Sequence, residues 1–329
     1  MTLLLTGATG FVGGVLARQL IAAGHTVRAV VRTPGKARDL QTIGVDVHQG
    51  DVTEKGSMRR PMTGVDGVYH VAGWYKIGGR DKDEAVRINV DGTRHVLELA
   101  EELRVPRVVY TSTLAVNSDT HGRVVDESYR FTGRHLTVYD RTKAEAHHVA
   151  ESFIARGVPV VIVQPGLIYG PGDTSSVRTT FLQFLQRKLP LVPKGTAFAW
   201  AHVEDIARAH MLAMEQGQAG RNYFICGPVH TLEEALDMAQ EITGIPAPRI
   251  RVGPGVMRTM SAAMAIVENV LPLPASYTSE GLRVVAGVTY IGNNARARGE
   301  LGWRPRPLRD GLVETLRHEM QLLGMSPRC

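Results

Sequence analysis

The chain is 329 residues long, with 43% hydrophobic and 21% charged residues, the profile of a globular protein with a large core in one large domain or two intimately joined ones. Its formal net charge of +6 is scattered along the chain instead of gathered into a basic stripe or tail, which argues against a nucleic-acid partner. No run of about 18 uninterrupted apolar residues occurs, so no transmembrane helix is expected; residues 1–6 are too short and lack the basic flank of a signal peptide, so a cytoplasmic setting is the expectation.

The first half alternates short apolar runs with helical patterns. Leu3-Leu4-Leu5 is a strand and residues 11–23 a helix; residues 27–31 are a second strand, followed by a basic stretch, and 45–48 and 68–71 are further strands. Residues 85–103 follow as a helix, 107–111 as a strand, 139–156 as a helix and 158–163 as a strand, with Gly24, Gly44, Gly64 and Gly157 where helices should end. This alternation predicts an α/β fold, a doubly wound parallel sheet of Rossmann type. After Pro165 the chain turns to Gly/Pro-rich loops, Pro165-Gly166, Gly170-Pro171-Gly172 and residues 190–195, and then to further helices, which implies a smaller carboxyl-terminal lobe.

Residues 256–271, rich in Met, Ala, Ile and Val and closed by Leu271-Pro272-Leu273-Pro274, are expected to be a buried helix, with a pocket wall or lid as the alternative. Cys226 and Cys329 offer neither a disulfide framework nor metal-site spacing, and are taken as a core residue and a tail residue. Twelve histidines are scattered, and the adjacent His147-His148 lacks a third ligand at recognisable spacing, so no metal is expected.

Leu3-Leu4-Leu5-Thr6 runs directly into Gly7-Ala8-Thr9-Gly10-Phe11-Val12-Gly13 and then into an amphipathic helix, giving strand, turn and helix in the order a dinucleotide turn requires. Glycine suits a tight turn and lets backbone approach a pyrophosphate, while the helix amino terminus supplies free N–H groups and positive dipole. The bland alternative is a tight strand-to-helix turn. The expected division is a dinucleotide-binding domain over residues 1–165, with a return segment near 200–228, and a mainly substrate-binding lobe over 166–329.

The second strand ends at Ala29-Val30-Val31-Arg32, without the acidic residue that accepts ribose hydroxyls in NAD-preferring enzymes. Arg32, helped by Lys36, suits a 2′-phosphate instead, which favours NADP(H) over NAD(H). Asp51, in Gly50-Asp51-Val52, is placed to accept from an adenine amino group, with a helix cap as the competing role.

Tyr139-Asp140-Arg141-Thr142-Lys143 puts a phenol and an ammonium four apart, on one face of a helix. A phenol with an ordinary pKa near 10 is a poor acid or base at neutral pH unless a cation stabilises its anion, and Lys143 is expected to do so while holding ribose hydroxyls. Upstream, Val108-Val109-Tyr110-Thr111-Ser112-Thr113 carries three hydroxyl residues to the carboxyl end of a strand, where ligands bind in such sheets.

With these strings, and with His70-Val71-Ala72-Gly73, Asn89-Val90-Asp91-Gly92-Thr93, residues 166–173, residues 201–207 and Leu301-Gly302-Trp303, the chain resembles the extended short-chain dehydrogenase/reductase family, the NAD-dependent epimerase/dehydratase group, along nearly its whole length. The resemblance implies that the catalytic hydroxyl is the third of the triplet, Thr113, where serine is commoner, with Ser112 in reserve. It further implies that Val71, Ala72 and Gly73 line the cofactor, that Pro165, Gly166 and Ile168 pack near the carboxamide, and that a homodimer forms on the helices 85–103 and 139–156. Trp74-Tyr75 either shape specificity or pack under a loop.

Within that family the chain looks most like dihydroflavonol, cinnamoyl and hydroxysteroid reductases: Arg32 favours NADP, Trp74-Tyr75 adds aromatic surface, and the carboxyl-terminal lobe has no cluster for gripping a nucleotide diphosphate. The expectation is reduction of a ketone or aldehyde on an apolar small molecule, with Tyr139 donating the proton and Thr113 stabilising the oxyanion. The alternative is a nucleotide-sugar epimerase or dehydratase with tightly bound NAD; a dehydratase needs an acidic pair beside the hydroxyl, which Thr111-Ser112-Thr113-Leu114 lacks. A non-catalytic dinucleotide sensor is a third possibility, and would have no need of Tyr139 and Lys143.

Overall fold

A computed structural model of the protein describes residues 1–78, 81–271 and 273–325; Pro272 and the tail residue Cys329 lie outside them. Six strands, β1 (Thr2–Thr6), β2 (Thr26–Val31), β3 (Asp46–Gln49), β4 (Gly67–His70), β5 (Val108–Thr111) and β6 (Val160–Pro165), join a seventh, Asn222–Ile225, in one parallel sheet. Its order is the seventh strand, β6, β5, β4, β1, β2, β3. The winding therefore reverses between β1 and β4, which opens a crevice at their carboxyl ends.

Both faces of the sheet are covered. Leu3 and Leu5 of β1 pack with Leu16, Ala17 and Leu20 of the helix α1 (Phe11–Ala22) and with Ile206 of the helix Val203–Gln216, while Leu4 packs on the opposite side. Partners there come from α3 (Lys55–Met62), α5 (Gly92–Glu102) and α6 (Val138–Ala155); α2 (Arg38–Thr42) precedes α3, and α4 (Lys82–Val86) lies between α3 and α5. An uninterrupted apolar run, not an alternating one, is what a strand buried on both faces needs. Gly24, with φ +82°, ends α1 in the left-handed region where an added side chain would be strained.

The helix expected over 85–103 begins earlier, at Lys82, and is not uniform: a π turn, Arg87–Asp91, separates α4 from α5. The extra residue turns Asn89 inward, where Oδ1 accepts from Trp74 N at 2.7 Å and Nδ2 donates to Trp74 O and to Thr142 Oγ1, both at 3.0 Å.

Beyond β6 a small sheet forms on Ala197–His202, flanked by Leu167–Tyr169, Thr289–Tyr290 and Val229–Thr231. Tyr169 and Trp200 from this sheet share a core with Phe181, Phe184, Leu236, Leu312 and Leu316. The expected buried helix at 256–271 is a surface helix instead, Pro254–Val267, in which only Met257 and Ser261 are buried while Val256 is 58% and Ile266 72% exposed. Its sequence is mostly Met, Ala, Ile and Val, with Arg258, Thr259 and Ser261 among them, but the segment containing Leu282 and Ala286 covers one side only.

Candidate active site

The glycine turn lies at the reversal of winding. Gly7 has φ +77°, and a Cβ on it would sit 2.6 Å from Ala72 N; a Cβ on Gly13 would sit 2.1 Å from Gly7 O. Hydrogen alone fits at both places, so the loop after β4, the turn and the start of α1 close into one cradle. The amino terminus of α1 has no side-chain cap and no acid in its first turn, so its N–H groups remain for a ligand. Thr9 and Gly10 are exposed there, with Phe11 and Val12 half-buried. These residues fit the pyrophosphate of a dinucleotide.

Arg32, at the end of β2, and Lys36, in the 3-10 turn Pro34–Ala37, are exposed, and among the described residues neither forms an ion pair. Asp51 makes a local turn ahead of α3, its Oδ1 accepting from Thr53 N at 2.9 Å and Thr53 Oγ1 at 3.0 Å, while Val52 is buried in the core. Of the segments placed near the carboxamide by resemblance, Pro165 ends β6, a Cβ on Gly166 would lie 2.1 Å from Ala199 O, and Ile168 packs against the central core.

At the carboxyl end of β5 the neighbouring hydroxyls diverge. Thr113 stands beside the Tyr139 phenol and acts against the rise of its pKa. Ser112 lies 2.9 Å from His147 Nδ1 and faces away. The backbone of α6 is started by Thr137, whose Oγ1 accepts from Asp140 N at 3.0 Å, and Tyr139 and Lys143 follow on one face. Burial pushes the Tyr139 phenol up to about 12, the Thr113 bond opposing and the Asp140 carboxylate adding to the rise. Burial also lowers the Lys143 ammonium to about 7.

Lys143 Nζ donates to Thr111 O at 2.7 Å and to Tyr110 Oη at 3.3 Å, which engages two of its three hydrogens on β5. The spacing puts both groups on one helix face, but the lysine side chain is long enough to reach the strand. With its phenol raised by burial, Tyr139 is protonated at neutral pH, which suits an acid.

Trp74 and Tyr75 part company. Trp74 is buried against Ala85 and Val138, with Nε1 donating to Glu84 at 3.1 Å. Tyr75 is 52% exposed and its hydroxyl meets Thr174 Oγ1 at 3.0 Å, tying the loop after β4 to the loop after Leu167–Tyr169.

Several residues that position the site were not singled out in the sequence. Glu280 accepts from Gly78 N and Val138 N, both at 3.1 Å, and so pins the start of α6 from the far end of the chain. Tyr290 donates to Asp140 Oδ2 at 2.9 Å, and burial raises the Asp140 carboxyl to about 6. Neither Glu280 nor Tyr290 belongs to a motif, and no local signal marks them. Tyr110 did carry one: a phenol inside an otherwise apolar strand. In the string 201–207, Glu204 and Asp205 bind Arg306 at 2.9 Å and 3.0 Å beside buried His202, and Arg306 also binds Glu314 at 3.0 Å, so the carboxylates there answer a guanidinium.

The model of the NAD dependent epimerase/dehydratase family matches residues 3–226. The chain is 32% identical over 321 residues to sterol demethylase protein B of Methylococcus capsulatus, covering 96% of this chain and 97% of that protein. It is 31% identical over 320 residues to a putative dihydroflavonol 4-reductase of Synechocystis sp., covering 95% and 92%. The crystal structure of gox2253 superposes with a TM-score of 0.87 at 26% identity over 99% of both chains. No helix among the described residues is long and apolar enough to cross a membrane.

Proposed function

The chain belongs to the NAD dependent epimerase/dehydratase family, and as an oxidoreductase of that family we propose that it uses NADP(H) to reduce a ketone or aldehyde on an apolar or aromatic small molecule. The observation that carries this proposal is the pairing of a protonated Tyr139 with Thr113 beside the crevice that holds the glycine turn. A sterol and a dihydroflavonol figure in the names of two relatives that match nearly the whole chain, which supports an apolar or aromatic substrate. Exposed Arg32 and Lys36, with no acid at the end of β2, support NADP.

The turn from Gly7 to Gly13 would hold NADPH, which would supply the hydride for the carbonyl carbon. Thr113 and Tyr139 hold the carbonyl oxygen between two hydroxyls, and Tyr139 gives up its proton as charge develops there. Lys143, fixed one helical turn away, stabilises the resulting phenolate through its field, and its third N–H would serve the ribose hydroxyls of a bound cofactor. The closed cradle of Gly7, Gly13 and Ala72 fixes the distance between the two halves of the reaction.

Tyr139→Phe should abolish NADPH consumption with aromatic ketones or aldehydes while leaving NADPH binding, read by fluorescence titration, unchanged. Full turnover by this variant overturns the assignment. Protein that purifies with retained NAD and consumes no NADPH would instead place the chain among nucleotide-sugar epimerases.

A further inference from the structure

We propose that Tyr110 is a positioning residue for Lys143, its hydroxyl being aimed by Thr93 and His70 so that a lone pair holds the lysine ammonium in place and in its charged form. This rests on the catalytic role proposed for Lys143.

The orientation follows from counting hydrogens. Thr93 Oγ1 lies 2.6 Å from Asn89 O, which can only accept, so the threonine hydrogen is committed there. His70 Nε2, 3.1 Å from the same Oγ1, must then be a donor. His70 Nδ1 is left as acceptor for the Thr6 hydroxyl at 2.9 Å, and Thr6 Oγ1 accepts from Ala72 N at 3.3 Å. His70 is thus the neutral Nε2–H tautomer, in keeping with burial that lowers it to about 3. Thr93 Oγ1 still has a lone pair to offer the Tyr110 hydroxyl, and Thr93 acts against the rise that burial causes in that phenol, while Lys143 Nζ, which can only donate, requires Tyr110 Oη to be the acceptor of their bond. Tyr110 therefore points its hydrogen at Thr93 and its remaining electron density at Lys143 Nζ, 3.3 Å away.

The chain of bonds ends on the Asn89 carbonyl, so it is a clamp and not a proton wire. Its other end is Ala72 N, which presses on Gly7, so one network joins the glycine turn to the lysine. The Tyr110 ring adds to the hold: it stacks on His70 with centroids 5.6 Å apart, and Lys143 Nζ stands 4.9 Å from its centre. The titratable groups facing the ammonium are Tyr110 from β5, His70 from β4 and Tyr139 from its own helix. Among the described residues no carboxylate pairs with it. The charged form accordingly depends on two neutral acceptors, Thr111 O and Tyr110 Oη.

The test is the pH dependence of kcat for NADPH-driven carbonyl reduction by the full chain. Tyr110→Phe keeps the ring and removes the acceptor, so the alkaline limb, where Lys143 loses its proton, should move down by roughly half to one pH unit, with substrate KM changing less than about twofold. Thr93→Val frees the Tyr110 hydroxyl and should move the limb the same way, and Thr93→Ser should restore it; this pair carries the test if Tyr110→Phe does not fold. Lys143→Met is the control. Folded Tyr110→Phe and Thr93→Val with the limb in place, beside an inactive Lys143→Met, overturn the clamp and leave the Tyr139/Lys143 mechanism standing. A Lys143→Met enzyme with the wild-type limb overturns that mechanism and the clamp together.

Discussion

Ser112 Oγ and His147 Nδ1 lie 2.9 Å apart in the interior, and this bond withdraws the middle hydroxyl of residues 111–113 from the crevice. Thr113, the next residue on, remains to face Tyr139. Strand geometry sends successive side chains to opposite sides, so only one of the pair can serve the site.

Substitution separates the two. Thr113→Val should lower kcat by about a hundredfold or more, the scale of losing one oxyanion donor. Ser112→Ala should keep kcat within about threefold while costing about 1–2 kcal/mol of stability, because His147 loses a buried partner. Steady-state rates and denaturant unfolding of both variants check this, and a reversed order assigns the hydroxyl to Ser112.

Cofactor choice should reside in Arg32. Arg32→Ser removes the charge-assisted bonds proposed for a 2′-phosphate, so KM for NADPH should rise about 10- to 100-fold, with KM for NADH nearly unchanged. Equal losses with both cofactors would show that the arginine acts on something they share.

Steric exclusion at the glycine turn makes a paired prediction. A methyl at position 13 would meet Gly7 O at 2.1 Å, whereas one at position 56, inside α3, meets nothing within 4 Å. Gly13→Ala should lower both Tm and dinucleotide affinity, the latter at least about tenfold. Gly56→Ala should raise stability by about 0.5–1 kcal/mol. Thermal melts with and without NADPH distinguish the two effects.

Asp140 gives the protein a pH-dependent weakness. Its carboxyl, ordinarily at 3.8, is raised by burial to about 6 in the folded chain, so the folded state holds the proton more tightly. The associated stability is fully present below pH 3.8 and is lost as pH rises through about 6. Asp140→Asn should therefore stabilise the protein at pH 7 by an amount on the order of 1–3 kcal/mol, and the gain should vanish near pH 4. Urea unfolding at the two pH values provides the comparison; equal gains at both would place the effect in packing instead of ionisation.

Much of this architecture was readable from local patterns. The unbroken Leu3-Leu4-Leu5 run announced a strand buried on both faces, and the spaced glycines before a helix announced the cradle, because backbone conformation and burial act on neighbours in the chain. The strands of the small sheet, two to six residues long, are mostly too short to show a period of their own. The helix Pro254–Val267 misled for a related reason: apolar composition says what a helix can bury, but not whether a partner lies on each side.

The sequence by itself determined the family, the winding of the sheet and the residue types brought to the carboxyl ends of its strands, since these follow from short-range patterns that repeat along the chain. Tertiary structure decided that Ser112 turns to His147 and leaves Thr113, the residue the resemblance pointed to, beside Tyr139, that Trp74 is buried against two helices while Tyr75 stays outside, and that Lys143 rests on Thr111 and Tyr110. These outcomes depend on partners far along the chain, such as Glu280 on Val138, 142 residues away, and Tyr290 on Asp140, 150 residues away. A side chain's direction and proton affinity are set by what surrounds it in space, and spacing along the chain carries no record of that.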